Sequence, residues 1–299
     1  MLYKNILLTG ASGFLGKYIY AELQTKGNVV TVSRTGAAIN ADLATDIPNL
    51  PSAELVVHCA GKAHSVPKTD IEKQAFFDVN FKGTLNLLKG IEQMATLPKS
   101  FVLISTVAVY GCDEGRLISE DHPLDAQDAY GKSKIQAEEL VKEWCIKHNV
   151  IFSILRLPLL FGENPPGNLG AMIKGIKKGY YFNIAGGKTK KSMVLAKDIA
   201  SIISIVAPIG GIYNLTDGEH PSFEDLSKML ANNLNKKKPM NIPFWLAKTM
   251  AIMGDIFGDK VPINSNKLKK VTTDLTFDDD KARRILNWKP NPVLREFKV

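Results

Sequence analysis

Two groups of residues in this chain have types and spacings that chemistry can use. Tyr130-Gly-Lys-Ser-Lys134 places a phenol and an ammonium four positions apart, on one face of a helix. A phenol with a pKa near 10 is a poor base at neutral pH. An ammonium beside it favours the phenolate and makes proton exchange with a substrate oxygen feasible. The pair alone means little, because this spacing arises about once by chance in a chain of such composition. Residues 101–111 give it context: their apolar run ends in Ser105 and Thr106, a buried strand delivering hydroxyls. The second group is Thr9-Gly10-Ala-Ser12-Gly13-Phe14-Leu15-Gly16, directly after a strand-like run and opening a helix. Glycines at such a turn let the backbone approach a pyrophosphate and present free N–H groups to it.

The next strand should end Thr31-Val-Ser33-Arg34, with no carboxylate. A carboxylate there bonds an adenosine ribose 2′-hydroxyl and repels a 2′-phosphate, whereas Ser33 and Arg34 can hold that phosphate. The expected cofactor is therefore NADP(H) rather than NAD(H). Asp42, where a third strand should end, is expected to face the adenine.

Composition narrows the classes further. Cys59, Cys112 and Cys145 show no CxxC spacing, and the five histidines form no HxxxH or HExxH pair, so no metal site is expected. An odd, sparse set of thiols fits a reducing cytoplasmic compartment. Residues 1–10 lack the basic n-region and long apolar core of a signal peptide and read as a first strand. No run reaches the ~18–20 apolar residues of a membrane helix. The nearest, residues 242–257, is broken by Pro243, Lys248, Gly254 and Asp255. It is expected as an amphipathic helix packed on the protein, with membrane-surface contact as the alternative. Residues 1–150 carry 15 Lys+Arg against 17 Asp+Glu, and residues 151–299 carry 23 against 13. A basic half suits nucleic acid or a diphosphate-bearing small molecule. No nucleic-acid-binding motif or basic–aromatic repeat is present, so the small molecule is expected, and neither nucleic acid nor a membrane is expected as a partner.

Strand-like runs at 5–9, 29–33, 54–59, 100–105 and 150–156 alternate with helix-like segments at 14–25, 71–94 and 129–147. That rhythm predicts an α/β fold, a parallel sheet with helices on both faces. Beyond residue 160 glycine and proline punctuate shorter elements, predicting a smaller lobe. The expected division is a dinucleotide-binding domain of residues 1–160 and 194–208, and a substrate lobe of 161–193 and 209–299.

Three elements in order resemble the extended short-chain dehydrogenase/reductase family of NAD(P)-dependent nucleotide-sugar epimerases, dehydratases and reductases. They are TGxxGxxG at residues 9–16, the strand end Ser105-Thr106 followed by Val109-Tyr110-Gly111, and YxxxK at 130–134. The similarity continues through Val57-His58-Cys59-Ala60-Gly61, Asp78-Val-Asn80-Phe-Lys-Gly83-Thr84, Leu155-Arg156-Leu157-Pro158, and Thr276-Phe-Asp278 onward to Trp288. The resemblance implies a Rossmann-type doubly wound parallel sheet with a smaller C-terminal α/β substrate lobe. It implies that Tyr130 exchanges a proton with a sugar oxygen and that Thr106 hydrogen-bonds the same oxygen, with Ser105 the lesser candidate. Lys134 would bind the nicotinamide ribose and lower the Tyr130 pKa. Gly10, Ser12, Gly13, Phe14, Leu15, Gly16, Leu43, Cys59, Ala60, Gly61, Asn80 and Leu157 would hold the cofactor with Ser33, Arg34 and Asp42. Asn168, Lys191 and Lys270 would face the substrate's diphosphate, solvated surface positions being the alternative for each. A homodimer pairing helices 71–94 and 129–147 is also implied.

Departures from the family pattern narrow the reaction. Sugar dehydratases of the family carry Asp-Glu after the threonine; Val107 and Ala108 cannot exchange protons, so dehydration is not expected. Leu159 stands where many epimerases have asparagine. The Leu-Arg-x-Pro-Leu-x-x-Gly form, with Gly61-Lys-Ala-His64, looks like the branch acting on UDP-N-acetyl-6-deoxy-4-keto sugars. The expected reaction is hydride transfer to the C4 ketone of a UDP-4-keto-6-deoxy-N-acetylhexosamine, in surface-polysaccharide precursor synthesis. A UDP-sugar 4-epimerase with tightly bound NAD is the alternative. A non-catalytic NADP-sensing or scaffold protein is a remote one, which the intact Thr106, Tyr130 and Lys134 argue against.

Overall fold

The computed structural model describes residues 2–63, 65–257 and 264–298; His64 lies outside them. The chain opens with β1 (Asn5–Thr9), in which Ile6, Leu7 and Leu8 are fully buried. Successive strand side chains point to opposite faces, so such a run needs cover on both. α1 (Phe14–Leu23) covers one face with Leu15, Ile19 and Leu23 at helical spacing. Next come β2 (Asn28–Ser33), β3 (Ile39–Asn40) and β4 (Leu55–His58). α2 (Asp70–Phe76), capped by the Thr69 side chain, passes through a π-helical turn at Phe77–Lys82 into α3 (Gly83–Glu92). β5 (Ser100–Thr106), the short β6 (Gly115–Ile118), α4 (Ala129–His148), capped by Asp128, and β7 (Ile151–Leu157) complete the first half.

The second half has shorter elements. β8 (Leu159–Phe161), α5 (Gly167–Lys178) and β9 (Asn183–Ile184) lead to β10 (Met193–Leu195), α6 (Ala196–Val206) and β11 (Gly211–Asn214). α7 (Phe223–Asn233) starts with a capping box between Ser222 and Asp225. β12 (Asn241–Ile242), α8 (Phe244–Phe257), α9 (Ser265–Thr272), β13 (Leu275–Phe277), α10 (Asp280–Leu286) and α11 (Val293–Glu296) follow.

Seven strands form one parallel sheet in the order β11-β7-β5-β4-β1-β2-β3. The doubly wound architecture expected from the alternating runs is thus present. Strand order reverses between β1 and β4, where a crevice must open because the chain leaves the two strands in opposite directions. Ile6, Leu8 and Val57 pack with α1 and α6 on one face, while Leu7, Val56 and Leu103 pack with α3 and α4 on the other. Around α5 and α7 a separate core gathers Phe161, Met172, Leu226 and Phe297.

The return to the sheet, expected over residues 194–208, runs further. β11 pairs with β7 from Gly211 opposite Ser153 to Asn214 opposite Arg156. Leu286 and Trp288 also fill the core on the α1–α6 face. Among the described residues, no helix is long and apolar enough to cross a membrane.

Trp288 is 4% exposed and its indole N–H donates to the Thr216 carbonyl at 2.9 Å. Trp288→Ala should therefore destabilise the protein by about 3–5 kcal/mol, read as a shift of the urea midpoint.

Candidate active site

The crevice between β1 and β4 continues into a cavity of about 490 Å³ at the carboxyl ends of the sheet strands. Its floor is the glycine turn. Gly10 has φ +72°, and a Cβ there would lie 2.6 Å from the Ala60 backbone nitrogen. A Cβ on Gly16 would lie 1.9 Å from the Gly10 carbonyl oxygen, so neither position accepts a side chain without backbone movement. α1 begins beyond Gly13 with no side-chain cap and no acidic residue in its first turn. Its leading N–H groups are available to an anion, and the helix dipole favours one there. These residues fit a dinucleotide pyrophosphate.

The opposite wall is the end of β4 and the π-turn. Asn80 is buried; its Oδ1 accepts from the Lys62 N–H at 2.7 Å, and its Nδ2 donates to Ser133 Oγ at 2.9 Å. It thereby ties the loop after β4 to α4. His58 lies between two threonines, with Nδ1 2.7 Å from Thr9 Oγ1 and Nε2 3.0 Å from Thr84 Oγ1. The Thr84 hydroxyl donates to the Asn80 carbonyl, so it can only accept from His58, which fixes the proton on Nε2. Burial, with Lys134 adding to it, pushes the imidazole down to about 3. His58 is a neutral structural link. Burial likewise pushes the Cys59 thiol up to about 12, leaving it protonated.

Thr106 at the end of β5 and Tyr130 and Lys134 on α4 meet on the cavity wall. Asp128 caps α4 through the Gly131 N–H at 3.0 Å, and the following helical turn brings Tyr130 and Lys134 to one side. Burial raises the Tyr130 phenol above its ordinary value; a hydrogen bond with Thr106 opposes this and Asp128 adds to it. The lowered Tyr130 pKa expected from Lys134 is thus not what this arrangement produces. Lys134 is buried too, and its Nζ donates to the Ile104 carbonyl at 2.7 Å. Its own ammonium is pushed down to about 8 by burial, against the pull of Glu138.

Behind this trio lies a buried polar lattice that motif reading left unused. The Arg156 guanidinium pairs with Glu138, Nη2 to Oε2 at 2.8 Å, and Ser105 Oγ donates to the same carboxylate. Arg156 Nη1 donates to Tyr110 Oη at 3.0 Å, and that hydroxyl donates to Asn214 Oδ1 at 2.7 Å. Ser105 is therefore committed to Glu138, which leaves Thr106 as the hydroxyl facing Tyr130. Glu138 stands one helical turn after Lys134, a spacing that sequence reasoning could have singled out.

Of the other residues proposed from sequence, Gly13, Phe14, Leu15, Cys59, Gly61, Leu157 and Asn168 also line the cavity. Ser12 is exposed on the turn. Ser33 ends β2 and Arg34 follows it, both outside the cavity wall, Arg34 exposed and Ser33 Oγ donating to the Thr35 carbonyl. Asp42 is exposed and accepts from the Ala44 N–H, while the Leu43 carbonyl accepts from Asn86. Lys191 and Lys270 do not reach the cavity. They gather at Asp113 and Asp274, where burial pushes Lys191 down to about 8 against the two carboxylates. Pro158, Leu159 and Pro166, unassigned from sequence, form its apolar side.

Residues 6–215 match the NAD dependent epimerase/dehydratase family, and the chain belongs to that family. By that family it is a nicotinamide-dependent enzyme. It is 29% identical to the N-acetyl-alpha-D-glucosaminyl-diphospho-ditrans,octacis-undecaprenol 4-epimerase of Escherichia coli O157:H7, over 93% of this chain and 88% of that one. It is 27% identical to the UDP-glucose 4-epimerase of Vibrio cholerae, over 98% and 93% of the two chains. In fold it is similar to MoeE5 in complex with UDP-glucose and NAD, with a TM-score of 0.75 at 19% identity over 98% and 95% of the chains.

Gly10→Ala should weaken NADPH or NADH binding roughly ten-fold or more in a fluorescence titration. Gly179→Ala carries a similar backbone penalty at φ +79° but meets nothing within 4 Å, and should leave the affinity unchanged.

Proposed function

We propose that the protein uses NADPH to reduce the C4 ketone of a diphosphate-linked sugar, a UDP-4-keto-6-deoxy-N-acetylhexosamine being the expected substrate. The observation that carries this reading is the meeting of Thr106, Tyr130 and Lys134 on the wall of the cavity that the glycine turn floors. With a cofactor's pyrophosphate held on that turn, its reduced nicotinamide would supply a hydride. Tyr130, a neutral phenol at pH 7 whose pKa burial raises further, gives its proton to the oxygen that becomes the C4 hydroxyl. Thr106 hydrogen-bonds that oxygen as charge develops on it, and the Lys134 ammonium stabilises the phenolate left behind. Val107 and Ala108 supply no acid or base for eliminating water. Arg34, exposed just after β2 with no carboxylate beside it in sequence, supports a 2′-phosphate partner.

A second reading, 4-epimerisation with NAD retained on the protein, is favoured by the named activities of the E. coli and Vibrio relatives. There Tyr130 would first act as a base, a task its raised pKa makes more demanding. Both relatives' substrates present a sugar on a diphosphate, one carried by uridine and one by a polyprenol. A sugar diphosphate is common to both.

Tyr130→Phe should lower kcat for ketone reduction by about 10²–10⁴-fold with little change in NADPH affinity. A loss of only a few-fold would remove the proton assignment. Arg34→Ala should raise the KM for NADPH by about ten-fold and leave that for NADH unchanged. Equal effects on both would instead favour NAD and the epimerase. Because Lys134 loses its proton as pH rises through about 8, kcat/KM should be held below that pH and fall above it.

A further inference from the structure

The helix expected to pack on the protein as an amphipathic element does so with only one narrow side. α8 buries Ala247, Ala251 and Gly254 against Leu268 and Val271 of α9 and Ile184 and Ile242 of the β9–β12 pair. The opposite side should then be polar. Instead Trp245, Ile252 and Met253 are 70%, 48% and 51% exposed, with Phe244 and Leu246 beside them and Met240 just before the helix. At 100° per residue, 245, 249, 252 and 253 fall within about a third of the circumference. Thr249, the remaining member, turns its hydroxyl back to the Trp245 carbonyl at 2.8 Å, so it offers no donor outward. The outer face is apolar and gathers five exposed large hydrophobic side chains, Phe244, Trp245, Leu246, Ile252 and Met253, on one helix.

The chain that flanks it in sequence is mostly basic. Among the described residues from 236 to 272, Lys236, Lys237, Lys238, Lys248, Lys267, Lys269 and Lys270 stand against a single carboxylate, Asp255. Asp255 is already engaged with Ser265 at the start of α9. Lys238 pairs with Glu224, and Lys269 and Lys270 lie 3.9 Å from Asp113. Lys236, Lys237 and Lys248 meet no carboxylate among the described residues.

We propose that α8 docks this protein on an anionic lipid surface, its Trp245–Ile252–Met253 face entering the interface and the neighbouring lysines meeting lipid phosphates. Tryptophan and bulky aliphatics next to lysine are what a helix lying in the headgroup region requires. Each lysine near such a surface gains from its negative potential, whereas it gains nothing from a neutral one. A second copy of the chain is the poorer occupant. A two-fold contact through α8 would set this lysine-rich surface against itself, and lysine is depleted from the cores of protein interfaces. The docking depends only on α8 and its flanks, and would hold for either reading of the catalytic site.

The full-length protein, mixed with vesicles of about three parts phosphatidylcholine to one part phosphatidylglycerol, should pellet at least ten-fold more than with phosphatidylcholine alone. Raising the salt to about 0.5 M should release it. Brominated acyl chains should quench Trp245, whereas the buried Trp144 and Trp288 are shielded. Trp245→Glu and Ile252→Glu, both at exposed positions, should abolish pelleting while leaving the melting temperature and NADPH binding as in the wild type. The proposal is overturned if the wild type does not bind anionic vesicles. It is equally overturned if those variants pellet as before, or if they change only the oligomeric mass, which would give the face to a second copy.

Discussion

Everything at the cavity depends on how closely two backbones pass at the end of the sheet. Gly10 leaves β1 in a left-handed conformation directly against Ala60 at the end of β4, with no room for a Cβ between them. Thr9 Oγ1 accepts the Ala60 N–H at 3.1 Å and so locks the two strand ends together. With that spacing held, α1 can start beside β4 with uncapped N–H groups aimed into the crevice. The same contact lets His58, Thr84 and Asn80 form one chain of hydrogen bonds, which anchors the π-turn and, through Ser133, α4. Position on α4 is what brings Tyr130 to Thr106.

Burying an ammonium is the second demand, and the lattice behind the site answers it. An isolated buried charge is expensive, and Lys134 has the Ile104 carbonyl and the field of Glu138 to offset the cost. Glu138 is in turn held by Arg156 and Ser105, and Arg156 by Tyr110, which reaches Asn214 on the edge strand β11. Residues far apart in sequence thus share one polar core. The same desolvation raises the Tyr130 pKa and so favours its protonated form.

Much of this was legible from residue types and spacing. The glycine turn, the Ser105-Thr106 strand end and the Tyr130–Lys134 spacing each express a local constraint, and local constraints leave sequence patterns. The strands of the first half were legible for the same reason, since buried parallel strands are short continuous apolar runs bounded by breakers. What lay beyond reach was non-local. That β11 joins β7, or that Trp288 fills the core behind α1, follows from how distant segments fold back, which no window of sequence records. Lys191 and Lys270 matched a basic pattern, yet Asp113 and Asp274, remote in sequence from Lys191, decide where they point. A helical spacing reveals a neighbour's charge and not the depth of burial, which raises the Tyr130 pKa.

In the proposed function, hydride enters a C4 ketone from an exchangeable cofactor. The most direct measurement is to supply NADPH deuterated at the transferring position of C4 of the nicotinamide, with a UDP-4-keto-6-deoxy-N-acetylhexosamine, and to locate the label by NMR. Reduction should give one deuterium at sugar C4, a single C4 configuration, and one NADP released per sugar reduced. No label at C4, together with interconversion of the C4 epimers of a UDP-N-acetylhexosamine supplied separately without added cofactor, would contradict it and assign the site to epimerisation.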